Sequence, residues 1–513
     1  MPLKKLLSLL FHRVTIISLA IAVQLVALIL MIGRFGNYFP QFYLISTALS
    51  AIVVIIIVSS NSKPGYKIAW IIPIMLLPIF GGLFYLMLGN RRTDQRMLRK
   101  MEQVRLHGQE TLSFSEPIVQ ELAQMNKHAA NQARYIQDHA AFPLYRHTYS
   151  KFYPLGELAF EAMLEELSQA QHYIFMEYFI INEGIMWNSI LDILVDKAQQ
   201  GVDVRLIYDD LGCAFRLPAK YDQKLEASGI KVARFHPFSP TLSARQNNRD
   251  HRKITVIDGH TGFTGGINLA DEYINAFEKH GHWKDSGFLV KGEPVWSLTV
   301  MFLTMWEYIR GTQEDFHKFR PTHLPPPPVQ EPGYIQPFSD NPLDGEAVGE
   351  TVYLNLISRA KDYIYINSPY LILDIEMITA LSLAAKSGVD VRIVTPYIAD
   401  KSIVHAVTRS YYPVLLRSGV RIYEYTPGFM HSKTFVTDDE VAVVGTINLD
   451  YRSLYLHFEN GVWLYQTPSV LQVRDDFEET LEVCEEMSLE VYGNLSVYQR
   501  LKWSVLRLIA PLL

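Results

Sequence analysis

His251-Arg252-Lys253 is followed by Asp258 and then by Gly265-Gly266-Ile267-Asn268. His431-Ser432-Lys433 is followed by Asp438 and then by Gly445-Thr446-Ile447-Asn448. In both stretches Lys follows His by 2 residues, Asp by 7 and Asn by 17. Each motif runs into a β-rich stretch, and on an extended strand residues i and i+2 share a face. His251 therefore points with Lys253, and His431 with Lys433. Two such sets facing each other would gather two imidazoles, two ammonium groups and two amides around one small space. That space suits a phosphodiester. Lys253, Lys433, Asn268 and Asn448 can donate to its non-bridging oxygens. One imidazole can attack phosphorus while the other protonates the departing alcohol, and the roles then reverse. The lysines supply the positive charge and stand where a metal would sit, so no metal and no cofactor is expected. A nucleophilic histidine needs a partner on its other ring nitrogen; Asp285 and Glu459 are the candidates. Asp258 and Asp438 join the catalytic set through the motif, although each ends its strand, where a structural role is the commoner one for a carboxylate. His236, His260, His280, His282 and His457 read singly as surface or packing residues.

The two motifs sit inside a wider repeat. Ala170-Gln171-His172-Tyr173-Ile174 matches Ala360-Lys361-Asp362-Tyr363-Ile364, and Gly201-Val202-Asp203-Val204-Arg205 matches Gly388-Val389-Asp390-Val391-Arg392. Ser228-Gly229-Ile230-Lys231-Val232 matches Ser418-Gly419-Val420-Arg421-Ile422, in the same order. Each half alternates helix and strand. Leu158, Ala162, Leu164 and Leu167 recur at helical spacing, while Tyr173 to Phe179 and Val202 to Tyr208 read as buried strands. Alternation of this kind implies an α/β fold whose sheet is mostly parallel or mixed, flanked by helices. The expected organisation is a membrane region at 1–92, a polar helical linker at 93–144, a first lobe at 145–320 and a Pro-rich connector at 321–334. A second lobe follows at 335–495, and an amphipathic helix at 496–513. The two lobes are expected to be related by an approximate twofold axis.

Composition narrows the class. Hydrophobic residues make up 49% and charged residues 19%, and the net charge is −6. The acidic balance speaks against a nucleic-acid binder. Two distant cysteines, Cys213 and Cys484, make neither a disulfide framework nor a zinc site. Three charge-free apolar stretches open the chain, Val14 to Gly33, Phe39 to Ser59 and Ile68 to Gly89. Each is about 20 residues, enough to cross a bilayer as a helix. Lys4, Lys5 and Arg13 favour a cytoplasmic start, and Arg91, Arg92, Arg96, Arg99 and Lys100 a cytoplasmic exit. Three full crossings cannot satisfy both, and Pro73, Pro78 and Gly81-Gly82 allow the third stretch to be re-entrant. A multi-pass membrane protein with its lobes on the cytoplasmic side is expected. At the other end, Arg500, Lys502 and Arg507 among Leu501, Trp503, Val505, Leu506 and Leu508 suit an anionic interface or a helix packed on the body.

Paired His-x-Lys-x4-Asp motifs, each followed by Gly-Gly/Thr-x-Asn, resemble the phospholipase D superfamily, from about Tyr145 to Tyr492. More narrowly, the chain resembles bacterial cardiolipin synthases. The resemblance rests on Lys67 to Gly89 with Asn90-Arg91-Arg92, on Asn268-Leu269-Ala270-Asp271-Glu272-Tyr273 with Trp283-Lys284-Asp285, and on Asn448-Leu449-Asp450-Tyr451-Arg452-Ser453 through Glu459. It implies transfer of a phosphatidyl group from one phosphatidylglycerol to another, releasing glycerol, through a phosphatidyl-histidine. His251 would be the nucleophile and His431 the acid/base, with phosphatidylglycerol and other anionic phospholipids as partners. Oligomeric state is open, a homo-oligomer included. Thr446 stands where the family commonly has Ser, and His457 where it often has Asn. A hydrolase or a transferase using another alcohol, a silent lipid-binding scaffold and a nuclease of the same superfamily are the rival readings.

Overall fold

The run Tyr173–Tyr178 is buried at all six positions, and its counterpart Tyr363–Asn367 at four of five. Such strands need cover on both faces, which is the condition of a central strand in an α/β sheet. The computed structural model describes residues 39–60, 62–76, 95–237, 247–326, 328–493 and 496–512, with isolated positions between 26 and 85. The chain forms two units, one of Met1–Thr93 with His236–Asn247, the other holding the remainder and both lobes.

In the first unit, α1 (Phe39–Val58) and α2 (Pro64–Leu76) share a small core of Val53, Ile57, Tyr66, Trp70 and Ile74. The outward side chains of α1, among them Leu44, Ile45, Ile52 and Ile55, are exposed and apolar. Among the described residues no helix is long and apolar enough to cross a membrane. The stretch from Val14 lies almost wholly outside the described residues, as does most of the third stretch beyond Leu76.

The second unit opens with α3 (Gln95–Glu110), α4 (Glu116–Met125) and α5 (Lys127–Tyr135), the polar helical linker. Strands β1 (Tyr145–Arg146) and β2 (Tyr149–Tyr153) follow. The first lobe continues through α6 (Gly156–Ser168), β3 (Tyr173–Tyr178), α7 (Ile185–Gln199), β4 (Asp203–Asp209), α8 (Tyr221–Ala227) and β5 (Lys231–Phe235). It closes with β6 (Arg249–Asp250), β7 (Lys253–Ile257), β8 (Thr261–Gly265), β9 (His282–Lys284), β10 (Gly287–Lys291) and α9 (Val295–Arg310). The second lobe repeats the series as β11 (Tyr334–Asp340), α10 (Val348–Arg359), β12 (Tyr363–Asn367), α11 (Ile375–Lys386), β13 (Asp390–Pro396), α12 (Ser402–Leu416) and β14 (Arg421–Tyr425). It ends with β15 (Gly428–Met430), β16 (Thr434–Thr437), β17 (Val441–Gly445), β18 (His457–Tyr465), α13 (Pro468–Leu481), β19 (Cys484–Glu486) and α14 (Val497–Ile509).

Both sheets are mixed. The first has the order β2-β10-β8-β7-β3-β4-β5, with β3, β4 and β5 parallel and the other four antiparallel. The second runs β1-β11-β18-β17-β16-β12-β13-β14-β19, with the parallel trio now β12, β13 and β14. A mostly parallel sheet is therefore realised only over one parallel trio per lobe. Short hairpins such as β7–β8 and β16–β17 build the antiparallel half, which alternation of helix and strand alone does not reveal. The strand β1 lies within the expected first lobe but pairs with β11 of the second sheet. Helix α6 forms where expected, yet Ala159, Met163 and Leu167 face inward while Leu158 is exposed.

The lobes interlock through the helices that follow β10 and β18. Helix α9 is apolar on nearly every side and packs on β3, β5 and β7 of its own sheet and on β11 of the other. Helix α13 packs on its own sheet and on β2 of the first, where Ser469 hydroxyl meets Ser150 hydroxyl at 2.8 Å and Gln472 accepts from Phe152 N–H at 3.0 Å.

Asp258 and Asp438 close the motif strands at the end remote from the histidines. Asp258 accepts from Gln171, His172 and Tyr173 N–H at 2.7–2.8 Å, and Asp438 from Lys361, Asp362 and Tyr363 N–H at 2.8–3.0 Å. Both adopt left-handed backbone, φ +50° and +54°, at the turn that follows. Asp258 lies five residue steps along β7 from Lys253, about 16 Å at strand rise. Neither carboxylate therefore reaches the histidine or lysine of its own motif. A carboxylate that gathers three backbone donors anchors the end of each motif strand to the start of its sheet neighbour, β3 or β12. Asp258→Ala and Asp438→Ala should each lower stability by about 1–3 kcal/mol, read by thermal or urea denaturation. Turnover per folded molecule should fall less than about 10-fold, the low side of a general acid–base contribution; loss as deep as that of a histidine variant would return the carboxylates to the chemistry.

Candidate active site

His251 and His431 are brought to the lobe interface by short strand pairings that cross between lobes. Strand β6 pairs parallel with β18, and His251 N–H donates to Phe458 carbonyl at 2.9 Å. Strand β15 pairs parallel with β9, and His431 N–H donates to Lys284 carbonyl at 2.7 Å. The side chains cross in the same sense. His251 Nδ1 lies 2.9 Å from both Glu459 carboxylate oxygens, and His431 Nδ1 lies 2.5 Å from Asp285 Oδ2. Each imidazole is thus held by the other lobe's carboxylate. With a proton on Nδ1 facing Glu459, Nε2 of His251 presents its lone pair, whereas Nδ1 of His431 also meets the Lys433 ammonium at 2.8 Å. Ser286 hydroxyl meets Ser432 hydroxyl at 2.6 Å, and Asn460 amide donates to Thr264 hydroxyl at 2.8 Å, closing the seam on both sides.

The sequence places all four groups in one site, yet their pairing follows from contacts between lobes that spacing cannot reveal. His251 and His431 are 8% and 6% exposed, and both carboxylates are fully buried. Burial pushes His251 down to about 3, with Lys253 adding to the effect and Glu459 opposing it. Burial likewise holds His431 well below the ordinary histidine range, assisted by Lys433 and Lys253. Burial thus favours the neutral form of both rings in the free site. The carboxylates differ. Burial alone would raise Glu459, but the charge and hydrogen bond of His251, the His457 ring and Lys253 outweigh it and hold it well below the usual range. Thr446 and Ser453 hydroxyls also donate to it, at 2.5 and 2.6 Å. Burial pushes Asp285 up to about 6 against the opposing pull of Lys433 and Ser286 N–H.

Lys253 and Lys433 are both buried, and each ammonium donates to the carbonyl of its own motif histidine, Lys253 at 2.5 Å. Burial pushes Lys253 down to about 7; the charge of Lys433 adds to this, while Glu459 and Asp285 oppose it. Burial pushes Lys433 down to about 8, with the same two carboxylates opposing. The amides diverge. Asn268 accepts from Ile180 N–H at 3.0 Å and donates to Tyr273 hydroxyl at 2.8 Å. Among the described residues the Asn448 amide oxygen is buried without a partner.

Residues not anticipated as part of the site surround these groups. Tyr273, Trp283 and Phe429 rings pack 5.2–5.8 Å from the His431 ring. Phe179 and His457 flank the His251 ring at 5.1 and 5.6 Å. His457, expected to be a surface or packing residue, lies with Nδ1 3.6 Å from Glu459. Beneath His251, Arg249 pairs with Asp209 at 3.1 Å, and Arg252 reaches Glu177 at 2.7 Å and Asp250 at 3.2 Å, all buried. Charges embedded in apolar strands, Glu177 in β3 and Asp209 at the end of β4, were the available sequence signal. Two groups of possible metal ligands occur among the described residues: His251, His457 and Glu459; and Glu350, Asp374 and Glu376. In the first, Glu459 is already filled by His251, Thr446 and Ser453 beside a buried ammonium. In the second, Asp374 caps α11 and accepts from Tyr455 hydroxyl.

A doubled α/β fold with two crossed histidine–carboxylate pairs defines a phosphatidyltransferase of the phospholipase D superfamily. The chain belongs to the phospholipase D-like cardiolipin synthase family: the family described as "Cardiolipin synthase, PLD-like domain" matches residues 163–283 and 353–481. The family described as "Phospholipase D-nuclease N-terminal" matches residues 48–90. A cardiolipin synthase of Geobacillus kaustophilus is 36% identical over 485 residues, 93% of this chain and 95% of that one. One from Geobacillus thermodenitrificans is 35% identical over 505 residues, 97% of this chain and 99% of that one. In fold, the chain is similar to the crystal structure of phosphatidylserine synthase from Haemophilus influenzae, with TM-score 0.57 and 16% identity over 75% of this chain and all of that one.

The depressed lysines give a pH prediction with a definite sign. An anionic phosphodiester restores the ammonium form, so binding takes up protons wherever the free lysines are partly neutral. Affinity is then full below about pH 7 and falls as pH rises through the lysine values near 7 and 8. Between pH 7 and 9, kcat/KM should drop at least about 5-fold, with proton uptake visible by calorimetry in buffers of different ionisation enthalpy. A flat profile with no uptake would contradict the assignment.

Proposed function

We propose that the chain acts as a cardiolipin synthase, joining two phosphatidylglycerol molecules with release of glycerol. The observation that carries the reading is the pair of buried imidazoles, each oriented through Nδ1 by a carboxylate of the other lobe, with two lysines beside them. His251 Nε2 attacks the phosphorus of the first phosphatidylglycerol, and the P–O bond to its headgroup glycerol breaks. His431 gives that glycerol the proton on its Nε2, and its Nδ1 draws one in turn from Asp285 or the Lys433 ammonium that face it. The resulting phosphatidyl-histidine carries positive charge on the ring, which the ionised Glu459 stabilises. The His431–Asp285 pair, whose carboxylate titrates near 6, holds the exchangeable proton. His431 then deprotonates a headgroup hydroxyl of the second phosphatidylglycerol, whose oxygen attacks phosphorus and frees His251. Lys253 and Lys433 offset the charge that develops on the non-bridging oxygens. The Asn448 amide oxygen, unpartnered among the described residues, can accept from a headgroup hydroxyl.

Membrane attachment belongs to the same reading. The exposed apolar surface of α1 supports it, as does the match to the N-terminal family over residues 48–90. Helix α14 supports it too. Trp503 and Leu506 pack on the body, while Val497, Tyr498, Leu501 and Val505 are exposed beside Arg500, Lys502 and Arg507. The lobes are assigned to the cytoplasmic side of a multi-pass bacterial membrane protein on the charges that flank the apolar stretches.

Purified enzyme given phosphatidylglycerol alone should yield cardiolipin and glycerol in equal amounts; phosphatidic acid as the sole product would make it a hydrolase. His251→Ala and His431→Ala should each lower turnover by at least about 10²-fold. Trapping of radiolabelled lipid on protein in His431→Ala but not in His251→Ala assigns the nucleophile, and the reverse outcome exchanges the two roles.

A further inference from the structure

We propose that the mouth of the two-histidine site is an apolar collar that seats directly on an anionic lipid bilayer, so that phosphodiesters pass from the membrane to the histidines without crossing water. The proposal rests on the lipid-substrate reading above. The topology fixes where the mouth lies. In the first lobe Lys253 pairs with Tyr178, the last residue of β3; in the second Thr434 pairs with Asn367, the last residue of β12. Both motif histidines therefore stand at the carboxyl edge of the parallel strands, and the connections leaving β3, β4, β12 and β13 surround them.

Those connections carry an unusual set of side chains. Ile185 and Ile375 are the first residues of α7 and α11, equivalent positions in the two lobes, and are 61% and 64% exposed. Phe215 follows β4, Ile398 follows β13, and Ile403 lies in the first turn of α12; all three are exposed. Phe277, 59% exposed, lies between the Asn268 loop and β9. Backbone contacts tie the set to the site. Ile185 N–H donates to Asp271, 3 residues beyond Asn268, and Ile398 N–H donates to Gly428 carbonyl, 3 residues before His431.

A single exposed isoleucine is ordinary, but large apolar side chains contributed by both lobes to one edge make a surface. Lys220, Lys279 and Lys401 lie within 5 residues of collar side chains and are exposed at the same edge, complementary to anionic headgroups; Lys279 and Lys401 also pair with Glu272 and Asp400. The depth of the histidines supplies the reason for a lipid occupant. A phosphodiester must rise from the headgroup layer to rings only 8% and 6% exposed, and its acyl chains then need an apolar path.

The test uses the full chain in bilayer discs. The rate of phosphatidyl release, cardiolipin plus phosphatidic acid, is measured for long-chain phosphatidylglycerol in the disc and for monomeric dihexanoyl-phosphatidylglycerol. Ile185→Asp, Phe277→Asp and Ile375→Asp should each lower the ratio of long-chain to monomer kcat/KM at least about 10-fold, the scale on which a charge replaces an interfacial apolar contact. Leu471→Asp, on an exposed face of α13, should leave that ratio within about 2-fold, as expected of a surface change. An unchanged ratio in the collar variants overturns the proposal. Independently, Phe277→Trp should add fluorescence that lipids brominated on their acyl chains quench; no added quenching also overturns it. Because both products are counted, a wild-type enzyme that makes only phosphatidic acid would sink the cardiolipin reading while the ratio still decides the collar.

Discussion

The crossed pairing of each motif histidine with the other lobe's carboxylate is the constraint to which the rest of the architecture answers. An Nδ1–carboxylate contact of 2.5–2.9 Å can be held only if the two lobes keep a fixed relation. Three further crossings secure that relation: β6 on β18 and β15 on β9, the backbone bonds from His251 to Phe458 and from His431 to Lys284, and the helices α9 and α13, each packed on both sheets. Neither half-motif is complete alone. A separated lobe would leave a buried carboxylate without its imidazole, a costly arrangement in a dry interior. Duplication of the α/β unit is thus tied to the chemistry rather than incidental to it.

Burial then sets the electrical character of the site. Two lysines held below their ordinary range, two neutral imidazoles and two carboxylates of unequal acidity occupy one enclosed region. Lys433 lowers Lys253, and the lysines lower the histidines, while the carboxylates oppose them. An incoming monoanion resolves this tension, because it restores the ammonium form and draws the field of both lysines onto its oxygens. The low polarity that costs the empty site is what strengthens those contacts when the phosphodiester arrives.

Much of this was legible from the residues. The repeat, the pairing of motif with motif and the two parallel trios follow from matched stretches such as Gly201 to Arg205 and Gly388 to Arg392. What stayed hidden depended on contacts distant in the chain. Asp285 and Glu459 could be named as histidine partners, yet nothing in their spacing says that each serves the opposite lobe. Asp258 and Asp438 belong to the motif by position, but only backbone N–H groups some 80 residues away reveal the clasp they form. His457 looked like a packing residue because its neighbours in sequence are apolar, whereas β18 aims it at Glu459. The antiparallel half of each sheet was obscured because hairpins of two β-rich runs resemble one longer strand with a polar break.

The twofold repeat is broken at the positions where the two histidines must differ. Glu459 answers to Asp285, Thr446 to Gly266, Ser453 to Tyr273, and His457 to Trp283. Around His251 this gives an ionised carboxylate filled by two hydroxyls, with a second imidazole close by. Around His431 it gives a shorter carboxylate poised near 6 inside an aromatic cage. A β-carbon at Gly266 would stand 2.0 Å from Asp285, so the threonine that serves one carboxylate is sterically barred from the other. The first environment favours a lasting positive charge on the ring, as a covalent intermediate requires. The second favours a proton that can leave and return. A symmetric pair of histidines would have no reason to divide the work; these substitutions supply one, and they support the proposed roles of His251 in attack and His431 in proton transfer.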